Sequence, residues 1–292
     1  MLVKSETIQA LNTSLMGTFK NAFEKQTPLF KKIATEVASK NKSNTYGWLK
    51  DIPGIREWIG DRHVQNVSEG DYTIKNRKFE GTIGVKKDDL EDDELGHYTV
   101  IVEELAQQAA MFPDKLVFEL LKKGKENKCF DGQYFFDTDH EVNGASVSNY
   151  TSGSGAAWYL LNCGRALKPF IYQSRTKPNF VALDKETDVD MFKSGTALYG
   201  VDFRGAAGYA FWQMAHCSEE DLTDANFNKV YAAMCSIKTS TGETLRNKPT
   251  TLVVPPSLRD KAFAIVNSEK LANGTNNPNK GIVEVIDASE LA

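Results

Sequence analysis

The chain has 292 residues, 41% hydrophobic, 25% charged and 10% aromatic, with a formal net charge of -4. This profile excludes a disordered chain and a strongly basic nucleic-acid binder, which needs a concentrated Lys/Arg surface. The longest hydrophobic run is six residues, Ala156 to Leu161, against the roughly 20 a membrane-crossing helix requires, so no membrane partner is expected. A chain of this size buries about three quarters of its unfolded surface, enough for a core without disulfides or metal.

The opening segment MLVKSETIQALNTSLMG has no apolar h-region and no small-residue cleavage site, so synthesis and use in a cytoplasm are expected. Within residues 6–25, Ile8, Leu11, Leu15, Phe19 and Ala22 recur at helical spacing behind Ser5 as N-cap, and Thr27 and Pro28 end the pattern. From Val37 to Val85 the texture changes to short β-type runs broken at Pro53-Gly54 and at Ser68 to Asp71. Tyr72 and Ile74 alternate with polar residues, as do Phe79, Ile83 and Val85, but the parity differs, which predicts a bulge or bend at Asn76 to Lys78. Much of this ribbon is polar on both faces, so it needs a partner to bury against.

The acid run Asp88, Asp89, Glu91, Asp92, Asp93 and Glu94 precedes a helical pattern, Tyr98, Val102, Leu105, Ala109 and Phe112, where carboxylates suit the positive helix N-terminus. Leu116, Val117, Leu120 and Leu121 continue the period, so one long helix kinked or restarted at Pro113 is expected. Residues 129–156 read as a Gly/Ser/Asn-rich surface loop. Beyond it, Trp158 to Pro169 reads as a strand turning into a helix and Leu198 to Trp212 as β-type. Asp224 to Ile237 and Leu258 to Val266 read as helices, with a buried strand at Thr250 to Val254 between them. The sum is an α+β fold with a largely antiparallel component.

Chemical signatures are sparse. Cys129, Cys163, Cys217 and Cys235 contain no CxxC pair and read as reduced thiols. Asp137, Asp139 and His140 offer oxygen and imidazole groups to a divalent ion, but adjacent residues diverge on a regular backbone and no HxxxH or HExxH accompanies them. Neither a nucleophile elbow nor a phosphate loop is present. Trp48 and Trp58 stand in the ribbon beside Arg56, Glu57, Asp61 and Arg62, residue types enriched at interface hot spots, with filling of a local core as the alternative. Residues 1–50 hold eight Lys/Arg against three Asp/Glu, and residues 51–100 hold seven against twelve. A basic arm followed by an acidic segment can attract neighbouring copies in an assembly, with solvated faces of one fold as the equal alternative.

Seven longer words carry a specific resemblance: TYGWL (Thr45–Leu49), PGIREWIGDR (Pro53–Arg62), YTIKN (Tyr72–Asn76), DDLEDDELG (Asp88–Gly96), CFDGQYFFDTDH (Cys129–His140), RALKP (Arg165–Pro169) and LVVPPSL (Leu252–Leu258). In this order they resemble the Mu-like phage major head subunit, the T-protein family of tailed-phage capsid proteins. The resemblance implies an HK97-like capsid fold. In it, residues 1–36 form an N-terminal arm, 37–88 an extended β-hairpin E-loop region, 89–150 a P-domain with a long kinked spine helix, and 151–292 an A-domain with returning P-domain strands.

By the same resemblance the chain is a non-enzymatic major capsid protein of a phage or prophage. It would assemble through hexamers and pentamers into an icosahedral shell around double-stranded DNA, in the bacterial host cytoplasm and then the virion. Implied partners are further copies of itself, scaffold or protease and portal proteins, and DNA contacted without regard to sequence; no cofactor is implied. Candidate interface residues are Trp48, Arg56, Glu57, Trp58, Asp61, Arg62, Asp92 and Asp93. The rival readings are a metal-dependent hydrolase centred on Asp137, Asp139 and His140, and an encapsulin-like compartment shell.

Overall fold

The computed structural model describes residues 5–50, 72–91, 96–185, 187–239, 242–271 and 273–292. The chain opens with α1 (Ser5–Lys25), the short α2 (Phe30–Ile33) and β1 (Ala34–Ala38). A ribbon base follows, β2 (Ser43–Thr45) and β3 (Thr73–Lys75), and then β4 (Arg77–Lys86), α3 (Lys87–Glu91) and the 26-residue α4 (His97–Lys122). Short strands β5 (His140–Val142), β6 (Ala145–Val147), β7 (Tyr150–Thr151) and β8 (Trp158–Leu161) lead to the long β9 (Phe170–Leu183). The remainder comprises α5 (Val189–Ser194), β10 (Thr196–Tyr209), β11 (Ala215–Ser218), α6 (Asp224–Ser236), β12 (Thr251–Val254), α7 (Arg259–Val266) and β13 (Glu284–Asp287).

Two sheets organise these elements. A four-stranded sheet runs β1-β9-β10-β4 and a five-stranded sheet runs β13-β12-β8-β11-β7. On the inner face of the first sheet, Phe180, Ala197, Tyr199 and Val201 pack with Leu15 and Phe19 of α1 and Val102, Ala106 and Ala109 of α4. α4 continues as one helix through Pro113. Its C-terminal half carries Val117, Phe118 and Leu121 into a core shared with Phe170, Tyr209, Val253 and Ile286, where the two sheets meet. Trp158 and Leu160 face α6 and α7, whereas Tyr159 and Leu161 face the shared core. All four positions of β8 are buried because both faces of the sheet are covered, hence the uninterrupted apolar run. Among the described residues no helix is long and apolar enough to cross a membrane.

Several expectations need correction. Residues 129–156 are not simply a surface loop: Phe135, Phe136, His140 and Asn149 are buried. The Asn149 side chain takes over pairing that a ladder would supply, accepting from Asp137 N (2.9 Å) and donating to the carbonyls of Phe135 (2.8 Å) and Trp212 (3.3 Å). The helix expected after Trp158 is absent, and residues 162–169 form an irregular link before β9. Side chains hold that link: Asn162 donates to Asn247 (2.9 Å), and Thr250 Oγ1 accepts from Cys163 N (2.8 Å). β9 itself escapes a sequence reading because its outer half carries Arg175, Lys177 and Pro178. Register shifts against β10 between Asp202 and Arg204 and between Arg204 and Gly205 give β9 extra residues there, and proline is tolerated at such bulges. Asp88 and Asp89 lie in the first turn of α3 rather than α4, which starts after Gly96 at φ 66°.

His216 on β11 is buried, and its Nε2 lies 2.8 Å from Thr151 Oγ1. Burial, helped by Lys229, lowers its pKa to about 4. The folded state therefore binds fewer protons than the unfolded chain below the ordinary histidine value. Stability is complete above pH 6.5 and falls by about 3 kcal/mol as pH drops to 4. Urea midpoints measured across that window should show the slope in wild type and a flatter one in His216→Gln.

Candidate assembly surfaces

The described part of the predicted ribbon is its base. β2 and β3 pair antiparallel, Ser43 with Lys75 and Thr45 with Thr73. The strand breaks at Asn76, inside the predicted bend, because that side chain turns inward and donates to Ser39 Oγ (2.8 Å) and the Asn41 carbonyl (2.9 Å). Gln173, wholly buried on β9, accepts from Tyr46 Oη (2.7 Å) and donates to Asn76 Oδ1 (3.0 Å) and the Ile74 carbonyl (3.2 Å). This chain of bonds ties both ribbon strands to the four-stranded sheet. Satisfied polar networks fix geometry more narrowly than apolar contact does.

Around the network, Tyr46, Leu49 and Ile74 pack on Ile171, Ala206 and Met214. Ile74 fits because β10 offers Gly208, where an added Cβ would lie 2.1 Å from Ile74 Cδ1 and 2.5 Å from Cγ1. Gly208→Val should cost about 2 kcal/mol through overpacking. It should also speed proteolysis in the ribbon, read by mass spectrometry after brief trypsin exposure.

Of the predicted interface residues, Trp48 sits in the 3-10 turn Gly47–Lys50, next to buried Leu49. Its side chain lies outside the description. Arg56, Glu57, Trp58, Asp61, Arg62, Asp92 and Asp93 lie outside the described residues. What the structure adds is the anchorage of Gln173, Asn76 and Gly208, invisible in a sequence because its members are scattered over 133 positions and two of them are ordinary polar residues.

The proposed metal cluster is not formed. Asp137 serves its own turn, accepting from Thr138 N (2.8 Å) and Tyr134 N (3.3 Å), and Asp139 is exposed. His140 instead is fully buried, stacks on Trp212 at 3.9 Å between ring centroids, and places Nδ1 2.7 Å from Asp131 Oδ2. Cys129 Sγ lies 3.1 Å from Asp131 Oδ1, which also accepts from Gln133 N at 3.0 Å. Cys129, Asp131 and His140 form the one grouping of metal-ligand atom types among the described residues, all within 4.8 Å. Cys129 Sγ and His140 Nδ1 both bond to Asp131, and burial, reinforced by the neighbouring carboxylate, pushes the thiol far above its ordinary range. Burial alone would raise the Asp131 pKa; the bonds from His140 and Cys129 outweigh it and hold the carboxylate below its usual range. The arrangement is that of a structural clasp, with the thiol and the imidazole both hydrogen-bonded to one carboxylate.

Residues 8–291 match the family described as Mu-like prophage major head subunit gpT. The chain is 40% identical over 305 residues to the major capsid protein of Escherichia phage Mu, covering all of both chains. It is 40% identical over 279 residues to the Mu-like prophage FluMu major head subunit of Haemophilus influenzae, covering 91% of each. Among solved structures, the subunit in the procapsid of bacteriophage JBD30 superposes with a TM-score of 0.88 at 43% identity, over 99% of this chain and 100% of that one. The JBD30 capsid subunit gives 0.82 at 34% identity, with both chains fully covered. The same capsid decorated with minor capsid protein trimers gives 0.79 at 34% identity, over 91% and 92% of the two chains.

Proposed function

Because this chain belongs to the family of Mu-like prophage major head subunits, it is a phage major capsid protein with the HK97-like α+β fold expected of the family, and we propose how its parts serve the shell. The end-to-end likeness to subunits of assembled JBD30 shells carries the reading, together with a ribbon whose base is rigidly built and whose sequence is polar on both faces. We assign α4 and the four-stranded sheet to the P-domain, the five-stranded sheet with α6 and α7 to the A-domain, β2 and β3 with the sequence that joins them to the E-loop, and α1 to the N-terminal arm.

In this reading copies associate into hexamers and pentamers of an icosahedral shell, assembled in the host cytoplasm with scaffold or protease and portal proteins. The shell encloses double-stranded DNA that it touches without reading sequence. Its work is association, in which many modest contacts multiply through symmetry, and no catalytic step is required. The hydrolase reading loses its carboxylates, since Asp131 and not Asp137 or Asp139 meets His140. Elemental analysis of purified protein should find no stoichiometric zinc or manganese. Arg56, Glu57, Trp58, Asp61, Arg62 and Trp48 are proposed to meet neighbouring subunits, as are Asp92 and Asp93 through basic side chains of an adjoining arm. Reversing Asp92 and Asp93 to lysine should weaken assembly at low salt; unchanged assembly there refutes that pairing.

Negative-stain microscopy of the expressed chain tests the function directly. Shells or capsomer rings are expected. Shells filled with a cargo enzyme in place of phage DNA would move the reading to a compartment protein.

A further inference from the structure

Where α1 meets the four-stranded sheet, three buried oxygens gather around one carboxylate. Asn12 lies on the helix face that carries Leu15 and Phe19 into the core. Asp184 follows β9 directly; Tyr199 of β10 pairs with Ala182, and Asp184 is two residues further along on the same side. Asp184 is 2% exposed, Tyr199 1%, and Asn12 is half-buried. Asn12 Nδ2 donates to Asp184 Oδ1 (3.4 Å), which uses the donor end of the amide. Asn12 Oδ1, Asp184 Oδ2 and Tyr199 Oη are left buried with no hydrogen-bond partner among the described residues. Tyr199 Oη faces the carboxylate without closing on it. Of seven such atoms in the described residues, three stand at this one place, so they call for a shared explanation.

The carboxylate also lacks a balancing charge. Burial raises its pKa, and the neighbouring Asp188 and Lys185 act on it in opposite directions. Lys86 and Lys87 stand across β10, Lys86 opposite Thr196 and Lys87 N bonded to Gly195 O. None of these three lysines pairs with Asp184, whose one side-chain donor is Asn12.

We propose that Asn12 Oδ1, Asp184 Oδ2 and Tyr199 Oη bind a monovalent alkali cation, sodium or potassium, that pins α1 to the sheet. An all-oxygen set selects a hard cation over a transition metal. Charge selects the monovalent class: one ionised carboxylate neutralises one unit charge, whereas a divalent ion leaves a net positive charge in the interior. Asp188 does not make up the difference, since its Oδ2 accepts from Lys185 N (2.9 Å) in its own turn. A bridging water would meet the same three atoms but leave the carboxylate charge unbalanced. The remaining ligands are solvent water, admitted at the half-exposed Asn12 edge. The site concerns how one chain holds its own N-terminal helix, so it stands or falls separately from the capsid function.

The test measures trypsin cleavage after Lys20 and Lys25 of α1 by mass spectrometry. Full-length wild type is compared at pH 7 in choline, sodium and potassium chloride of equal ionic strength, at a protein concentration where sedimentation is the same in all three. A chromogenic peptide reports trypsin activity in each salt. Cleavage is expected to slow about tenfold once sodium or potassium reaches ten times its dissociation constant, the linkage of a ligand bound only to the docked helix, and choline should give no protection. Asp184→Asn, which keeps the shape and removes the charge, should lose the difference between salts while retaining the wild-type circular dichroism spectrum. Tyr199→Phe should need several-fold more cation for the same protection, and it decides the matter if Asp184→Asn fails to fold. Equal cleavage of wild type in all three salts overturns the site. So does the wild-type cation requirement in Tyr199→Phe, or alkali protection undiminished in Asp184→Asn, which would place the ion elsewhere. Protection by calcium but by neither alkali ion overturns it too, as does protection that follows acidification identically in every salt, which would put a proton on Asp184 in place of the cation.

Discussion

Asp131→Ala is expected to destabilise the subunit by about 4 kcal/mol, the cost of stranding buried donors around a lost carboxylate. The carboxylate is only 24% exposed and accepts from three groups, His140 Nδ1, Cys129 Sγ and Gln133 N. His140 is fully buried, and its Nε2 has no hydrogen-bond partner among the described residues, so Asp131 is what holds the ring. Losing that anchor also frees the stacking face of Trp212, which belongs to the core where the two sheets meet. The effect therefore should spread beyond the 129–140 turn. Because the folded state holds the Asp131 pKa below its ordinary value, the stabilisation is complete above the usual carboxylate range and is lost as pH falls through the depressed value. Urea unfolding at pH 7 should show the full loss, and the gap between wild type and Asp131→Ala should narrow on acidification. Cys129→Ser, which keeps a donor, should cost far less. An Asp131→Ala chain as stable as wild type at pH 7 would refute the clasp.

The same residues show where sequence reasoning reaches and where it stops. CFDGQYFFDTDH is one of the seven words that carry the family resemblance, yet the side chains that meet in space are its first, third and last, because the chain turns back at Gly132 with φ 86°. Spacing on a strand or helix cannot display such convergence, so the notable carboxylates in the text, Asp137 and Asp139, were the wrong ones. Buried strands with both faces covered, Trp158–Leu161 and Thr251–Val254, announce themselves as apolar runs. The parity change at Asn76 likewise predicted the strand break. β9 did not announce itself, since its bulged half is polar and contains Pro178, and its strand character comes from pairing with β10.

Asp114→Ala is the second large effect, about 4 kcal/mol from two charge-assisted hydrogen bonds to buried backbone. Asp114 follows Pro113 in α4 and is fully buried, with Oδ2 accepting from Leu29 N (2.9 Å) and Oδ1 from Phe30 N (2.6 Å). Those N–H groups open α2, which has no side-chain cap of its own, so the spine helix supplies the cap from 84 residues away. α2 feeds directly into β1, whose parallel pairing starts at Ala34 with Phe170. One carboxylate thus sets where the N-terminal segment leaves α4 and how it enters the sheet. Burial raises the Asp114 pKa against the lowering effect of the two N–H bonds. A raised folded value means that the stability tied to its protonation is complete below the ordinary aspartate range and is lost as pH rises through the folded value. Asp114→Asn removes that charge cost and retains a carbonyl acceptor, so it should lose less than half of what Asp114→Ala loses at pH 7. Proteolysis should separate this loss from a general one: Asp114→Ala is expected to be cut first between Lys25 and Lys32, with α4 and both sheets still protected. Simultaneous cutting throughout the chain would mean that Asp114 supports the whole core and not the entry of the arm.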